Sequence, residues 1–264
     1  MTPAERFGHP TAPGTQAHAA FSVVLRLVLA MAGLALLMIP YFLVCLLLLP
    51  WRMLRVRLGN VVGAAAGRWV FAVVGLSCEL RGPALETLAP AMFVQNHTGT
   101  LDLFLAMQLC PRPCSGTLKK EFLRVPFIGL GYLLSGHLLI DRANRDRAIR
   151  SMNAISALVQ SERLSIWILP EGTRSRTGRL QPFKKGFAHL ALTTRLPIVP
   201  VVVHEGHRFW PRGLTVRPGH VCAEVLPAIS TADWTPENLE QHVAEVEAAF
   251  NAALAEHQQS RSAP

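Results

Sequence analysis

Residues Leu27 to Pro50 are 24 consecutive positions without a charge. No other feature restricts the chain as much. About 20 apolar residues cross the hydrocarbon core of a bilayer, so this run must be either embedded in lipid or covered by the rest of the protein. It is too long for the apolar region of a signal peptide, and no small-x-small cleavage site closes it. Pro40 lies inside it and removes a backbone donor, so a break into two shorter helices is expected. Arg52, Arg55 and Arg57 follow at once. By the positive-inside tendency they put that end of the run on the cytoplasmic side. A second apolar segment, Val61 to Leu76, carries Arg68 and several small residues and reads as an interfacial or domain-packing helix. A single crossing and a bent hairpin in one leaflet both fit. Residues 1–20 read as a mobile N-terminus and residues 21–77 as a membrane-anchoring helical segment.

The rest of the composition agrees with a membrane-associated chain. Half of the 264 residues are hydrophobic and 16% are charged, few for a freely soluble protein. A formal net charge of +9 favours anionic surfaces or phosphorylated ligands. Nucleic acid is not the expected partner, since basic and aromatic residues do not interleave and no zinc-finger or RNP pattern occurs. The five cysteines contain no pair of Cys-x2-Cys units. Their odd number, and a lipid-facing Cys45, suggest reduced thiols and a cytosolic catalytic side.

From about Cys78 short apolar runs alternate with helical patterns. Strands are expected at Met92–Gln95, His137–Ile140, Leu164–Leu169, Ile198–Val203 and Val221–Leu226. Helices are expected at Leu101–Leu109, Asn144–Glu162 and Lys184–Thr194. The alternation predicts an α/β fold with a central sheet flanked by helices, over residues 78–231. Residues 232–264 form an amphipathic helix and a loose tail. Thr235 is its expected cap, Pro236 opens its first turn, and Leu239, Val243, Val246, Phe250 and Leu254 make one apolar stripe that packs on the domain.

Two motifs carry the chemistry, each directly after a predicted strand. The first is Asn96-His97-Thr98-Gly99-Thr100-Leu101-Asp102. A carboxylate close to a histidine fixes its tautomer and stabilises its protonated form, so the imidazole can take a proton near neutral pH. The second is Pro170-Glu171-Gly172-Thr173-Arg174-Ser175, continuing to Phe183-Lys184. Its glycine allows close backbone approach, and Arg174 can grip a phosphate through two parallel hydrogen bonds. No Gly-x-Ser-x-Gly nucleophile motif is present, which points to a base that activates a hydroxyl of the substrate.

With Lys119-Lys120-Glu121, Pro126-Phe127-Ile128-Gly129 and Leu139-Ile140-Asp141-Arg142 between them, and Leu196-Pro197-Ile198-Val199-Pro200-Val201 after, these motifs resemble the 1-acylglycerol-3-phosphate acyltransferases of the glycerolipid acyltransferase family. The resemblance spans residues 85–205. One departure is Thr98-Gly99-Thr100, where Gln-Ser or Val-Ser is more usual. The resemblance implies a mixed central sheet and an N-terminal hairpin in one leaflet. It implies His97 as general base on the sn-2 hydroxyl of lysophosphatidic acid, with Asp102 orienting it. It places Arg174, Gly172 and Thr173 with Lys119 and Lys120 around the acceptor phosphate. Glu171 is expected to hold the arginine or a glycerol hydroxyl, and Asp141-Arg142 to orient the site or form an internal ion pair. Acyl-CoA or acyl carrier protein is the implied donor, and no metal or cofactor is implied. Ser175 is assigned a structural or phosphate-binding role. Two other functions fit the chain: transfer to another lyso-lipid, such as a lysophospholipid or lyso-ornithine lipid, and a non-catalytic lipid-binding scaffold.

Overall fold

The computed structural model describes residues 13–119, 128–140, 145–211 and 213–260. Lys120, Glu121, Asp141 and Arg142 lie outside the described residues. Two long helices come first, α1 (Pro13–Leu47) and α2 (Arg52–Val74). They are antiparallel: Arg26 approaches Gly75, Trp69 covers Gly33 and Tyr41 covers Gly59. α1 begins at Pro13, inside the segment expected to be mobile, and runs unbroken through Pro40. The proline costs one helical hydrogen bond, but the next residue clamps the hairpin, because the Tyr41 hydroxyl donates to the Arg55 carbonyl (3.0 Å). Cys45 is not lipid-facing. It is buried in a cluster with Tyr41 and Leu134.

α2 buries a stripe that includes Val56, Asn60, Gly63, Gly67, Val70, Phe71 and Val74, the spacing of one helical face. It is the domain-packing helix read at Val61–Leu76, with nine further residues at its start. Of the basic flank, only Arg52 and Arg57 are exposed. Arg57 meets Glu162 at 3.3 Å, while Arg55 is buried and gives its guanidinium to the carbonyls of Leu49, Leu133 and Leu134.

The sheet strands are β1 (Leu76–Arg81), β2 (Met92–Gln95), β3 (Cys114–Lys119), β4 (Leu138–Ile140), β5 (Ser165–Ile168), β6 (Ile198–His204) and β7 (Gly219–Val225). Their order is β1-β7-β6-β2-β5-β3-β4, and every pairing is parallel except β6 with β7. The sheet is therefore mixed, as expected. The helices between strands are α3 (Leu101–Leu109), α4 (Ile128–Leu134), α5 (Arg145–Glu162), α6 (Gly186–Thr194) and the single turn α7 (Gly206–Phe209), and α8 (Leu239–Ala253) follows the last strand.

Both faces of the sheet are covered. Met92, Val94, Ile166 and Ile168 point to one core with residues of α5, α6 and α8. Phe93, Trp167, Val199 and Val201 point to the other with α2 and α3. Burial on both faces is why β2 and β5 read as unbroken apolar runs. The two strands absent from the sequence reading, β1 and β3, lack that signal. β1 is an edge strand with an alternating face, and β3 (Cys-Ser-Gly-Thr-Leu-Lys) has small residues after two prolines.

α8 begins three residues beyond Pro236, with Asn238 as its cap residue. Thr235 instead forms a reciprocal pair: its N–H donates to Asn238 Oδ1 (2.7 Å) and its hydroxyl accepts from the Asn238 N–H (3.4 Å). The chain after Gln258 is not loose up to Ser260. Ser260 N–H donates to Asn251 Oδ1 (2.8 Å), and the Gln258 carbonyl accepts from Leu180 N–H (2.7 Å).

Candidate active site

β2 and β5 are neighbours in parallel, with Val94 opposite Ile168. The loops that follow them therefore leave the same edge of the sheet side by side. That edge, at the carboxyl ends of the strands, is where open α/β sheets bind ligands.

Asn96 ends β2 by continuing its ladder with a side chain. Its amide donates to the Val203 carbonyl (3.0 Å) and accepts from the Val203 N–H (2.7 Å). The chain then turns out at His97 and re-enters as α3. Asp102, in the first turn of α3 and fully buried, reaches back over that turn. Its Oδ2 accepts from Thr98 N–H (2.6 Å), Gly99 N–H (2.8 Å) and His97 Nδ1 (2.8 Å). With Nδ1–H given to it, His97 keeps Nε2 as the basic nitrogen, and its side chain is 21% exposed. Gly99 is required here, since a Cβ would come within 2.5 Å of the Trp210 carbonyl.

The second loop grips His97 from both sides of its backbone. Glu171 Oε1 accepts from His97 N–H (2.7 Å), and Ser175 N–H donates to the His97 carbonyl (2.9 Å). Glu171 does not hold the arginine. It is buried, its Oε2 accepts from Gln181 N–H (3.2 Å), and burial raises its carboxyl to about 8 against the pull of those two donors. Arg174 is half-buried and donates from Nη1 to Thr100 Oγ1 (2.8 Å). Thr100 is anchored in turn, its hydroxyl donating to the Pro211 carbonyl (3.1 Å) and its N–H to that of Trp210 (2.8 Å). Gly172 (φ 67°) and Thr173 are exposed at the turn.

The structure thus brings His97, Asp102, Glu171 and Arg174 together. Lys119 ends β3, one strand beyond β5 at the same sheet edge. Lys120 falls outside the described residues. The sequence reading gave no role to Thr100 or Asn96, whose partners lie about a hundred residues away. Only the displaced hydroxyl in Thr98-Gly99-Thr100 hinted at Thr100.

The sequence profile of the Acyltransferase family matches residues 79–204, the stretch that carries both loops. A 1-acyl-sn-glycerol-3-phosphate acyltransferase of Limnanthes douglasii is 40% identical over 206 residues, 78% of this chain and 73% of that relative. The chain belongs to the 1-acylglycerol-3-phosphate acyltransferase family. It is accordingly an O-acyltransferase. Proteins of the same description from Cocos nucifera (37% identical, 89% of this chain and 76% of the relative) and Salmonella typhimurium (34%, covering 69% and 74%) are also similar. The fold matches the crystal structure of the 1-acyl-sn-glycerophosphate (LPA) acyltransferase PlsC from Thermotoga maritima, with TM-score 0.56 and 19% identity, over 82% of this chain and 94% of that one.

Proposed function

We propose that this acyltransferase moves a fatty acyl group from a thioester donor, acyl-CoA or acyl carrier protein, to the sn-2 hydroxyl of lysophosphatidic acid, giving phosphatidic acid. The observation that carries the reading is the 2.8 Å contact of His97 Nδ1 with buried Asp102, one loop away from the guanidinium of Arg174. His97 Nε2 takes the hydroxyl proton as the oxygen attacks the thioester carbonyl carbon. Asp102, hydrogen-bonded to Nδ1, orients the ring and stabilises the imidazolium. Collapse of the tetrahedral intermediate breaks the C–S bond, and the proton passes from His97 to the leaving thiolate. Base catalysis of this kind supplies ~10²–10⁴-fold. Arg174, with Lys119 and Lys120, meets the acceptor phosphate. The names of the relatives support lysophosphatidic acid as acceptor.

A covalent acyl-enzyme on Ser175 is disfavoured. The residue is buried, its N–H is bound to the His97 carbonyl, and its hydroxyl accepts from Thr177 N–H (3.3 Å).

The hairpin supplies the second half of the reading. Ser22–Leu47 is long and apolar enough to cross a membrane. Yet α1 lies along α2, and α2 is packed on α3 and the sheet. A hairpin embedded in one leaflet therefore fits better than a crossing. Large side chains along α1, such as Val28, Leu36 and Leu47, are exposed to take up that lipid, and the catalytic edge faces the cytoplasm.

The test is purified protein with one radiolabelled acyl-CoA and a panel of lyso-lipids. Lysophosphatidic acid is expected to be the best acceptor. Preference for a phosphate-free acceptor such as lyso-ornithine lipid would overturn the assignment, and no transfer to any acceptor would favour a scaffold.

A further inference from the structure

A cavity of about 380 Å³ lies far from His97, where the α1–α2 turn meets α4. Gly136 and His137 line it and precede β4, so it sits at the end of the sheet where the parallel strands begin. The catalytic loops leave the other end. Arg52, Arg55, Leu133 and Ser151 complete most of its wall.

Its charge is one-sided. Arg55 is 8% exposed, and its Nε is buried without a partner. Arg52 donates from Nε to the Gly136 carbonyl (2.8 Å) and from Nη2 more weakly to that of His137 (3.4 Å). Among the described residues no carboxylate lines the cavity or pairs with either arginine. Burial and the neighbouring Arg55 lower the Arg52 pKa, and burial takes His137 down to about 4, so that ring is neutral. A buried Arg55 with only carbonyls for partners, and an exposed Arg52 beside it, leave two like charges that an oxyanion offsets.

The rim says which oxyanion. Leu49, Trp51, Leu54 and Leu133 are each at least half exposed around the turn, continuous with the apolar face of α1. A small soluble anion would use only the arginines, whereas a phospholipid would use both. Tryptophan is also a side chain that settles at membrane interfaces.

We infer that this cavity is a headgroup site for a membrane phospholipid, with the phosphodiester held by Arg52 and Arg55 and the acyl chains lying over Trp51 and Leu133. Such a lipid fixes how the hairpin sits in the leaflet and is not a reactant. The inference rests on the membrane half of the proposed function and not on acyl transfer.

The test measures binding of dihexanoyl phosphatidylglycerol to the full chain in nonionic detergent, by titration calorimetry. An Arg174→Gln background removes the guanidinium assigned to the acceptor phosphate. Saturable binding is expected there, weakened about tenfold by adding Arg52→Gln and largely restored by Arg52→Lys. Circular dichroism checks that each variant is folded. Equal binding with and without Arg52→Gln would overturn the site. Inorganic phosphate binding as tightly as the lipid would make it a free-anion site and overturn the lipid assignment. Absence of acyl transfer by the unaltered protein, with Arg52-dependent lipid binding intact, would sink the catalytic reading and leave this one standing.

Discussion

Different forces hold the loop of residues 96–102, which is mostly buried, and the α1–α2 hairpin, whose α1 is largely exposed. In the loop one carboxylate oxygen accepts three hydrogen bonds in full burial, and the His97 backbone is held at both its N–H and its carbonyl. In the hairpin the outward face of α1 is mostly hydrocarbon, and the inward face of α2 mixes small residues such as Gly63, Ala66 and Gly67, which let helices approach, with Val56, Val70 and Phe71. The loop depends on named donors meeting one oxygen, Asp102 Oδ2, while Asp102 Oδ1 and Thr98 Oγ1 are buried without a partner, so a lost donor there is costly. Apolar side chains on the outside of α1 are interchangeable, while size on the inside of α2 is not.

That contrast can be broken at several points. The largest effect is expected at Asp102. Asp102→Asn keeps the size but weakens its hold on Nδ1–H and removes the charge that stabilises the imidazolium. kcat should fall by at least ~10²-fold with little change in either KM, measured at saturating donor and acceptor. An unchanged kcat would remove the carboxylate from the chemistry.

Next is Arg174→Lys, which keeps charge but loses the planar fork. The acceptor KM is expected to rise about tenfold and the donor KM to stay put. Thr100→Val, which removes the acceptor steadying the guanidinium, should move the acceptor KM the same way by only a few-fold, as a loss of about 1 kcal/mol implies. A change in donor KM alone would place both residues elsewhere.

Gly67 joins the two regions, because a Cβ there would stand 2.5 Å from the Phe104 carbonyl of α3. Gly67→Ala should cost about 1–3 kcal/mol, seen as a Tm lower by several degrees. Since α3 carries Asp102, kcat should fall with it. A lowered Tm at full kcat would show the hairpin and the loop to be uncoupled.

The last effect, on pH dependence alone, concerns Glu171. Its folded carboxyl titrates near 8 rather than at its ordinary 4.5. Between those values the folded state binds the extra proton, so this group's contribution to stability falls as pH rises from 4.5 through 8 and is constant above. Glu171→Gln should flatten the decline of Tm over that window. An identical slope in both proteins would mean that Glu171 is ionised throughout.

The sequence and the structure agree where signals are local. β2, β5 and β6 are runs buried on both faces, and α3 and α8 carry unmistakable patterns. β1 and β3 were invisible because an edge strand and a run of small residues carry little hydrophobic signal. In the site, His97, Asp102 and Arg174 stand in order along the chain and were legible. Three arrangements could not be read: the bond of Glu171 to the His97 N–H, that of Thr100 to Arg174, and the support of Leu180 by Gln258. Each joins residues more than seventy positions apart; the parallel sheet brings the first two pairs together, and the third is made by the segment after α8.

The account stands or falls on the His97 imidazole. The deciding measurement is kcat for lysophosphatidic acid acylation by His97→Ala beside the unaltered protein, both folded and in the same detergent at saturating substrates. A fall of at least ~10²-fold is predicted; retention of most of the rate would contradict it.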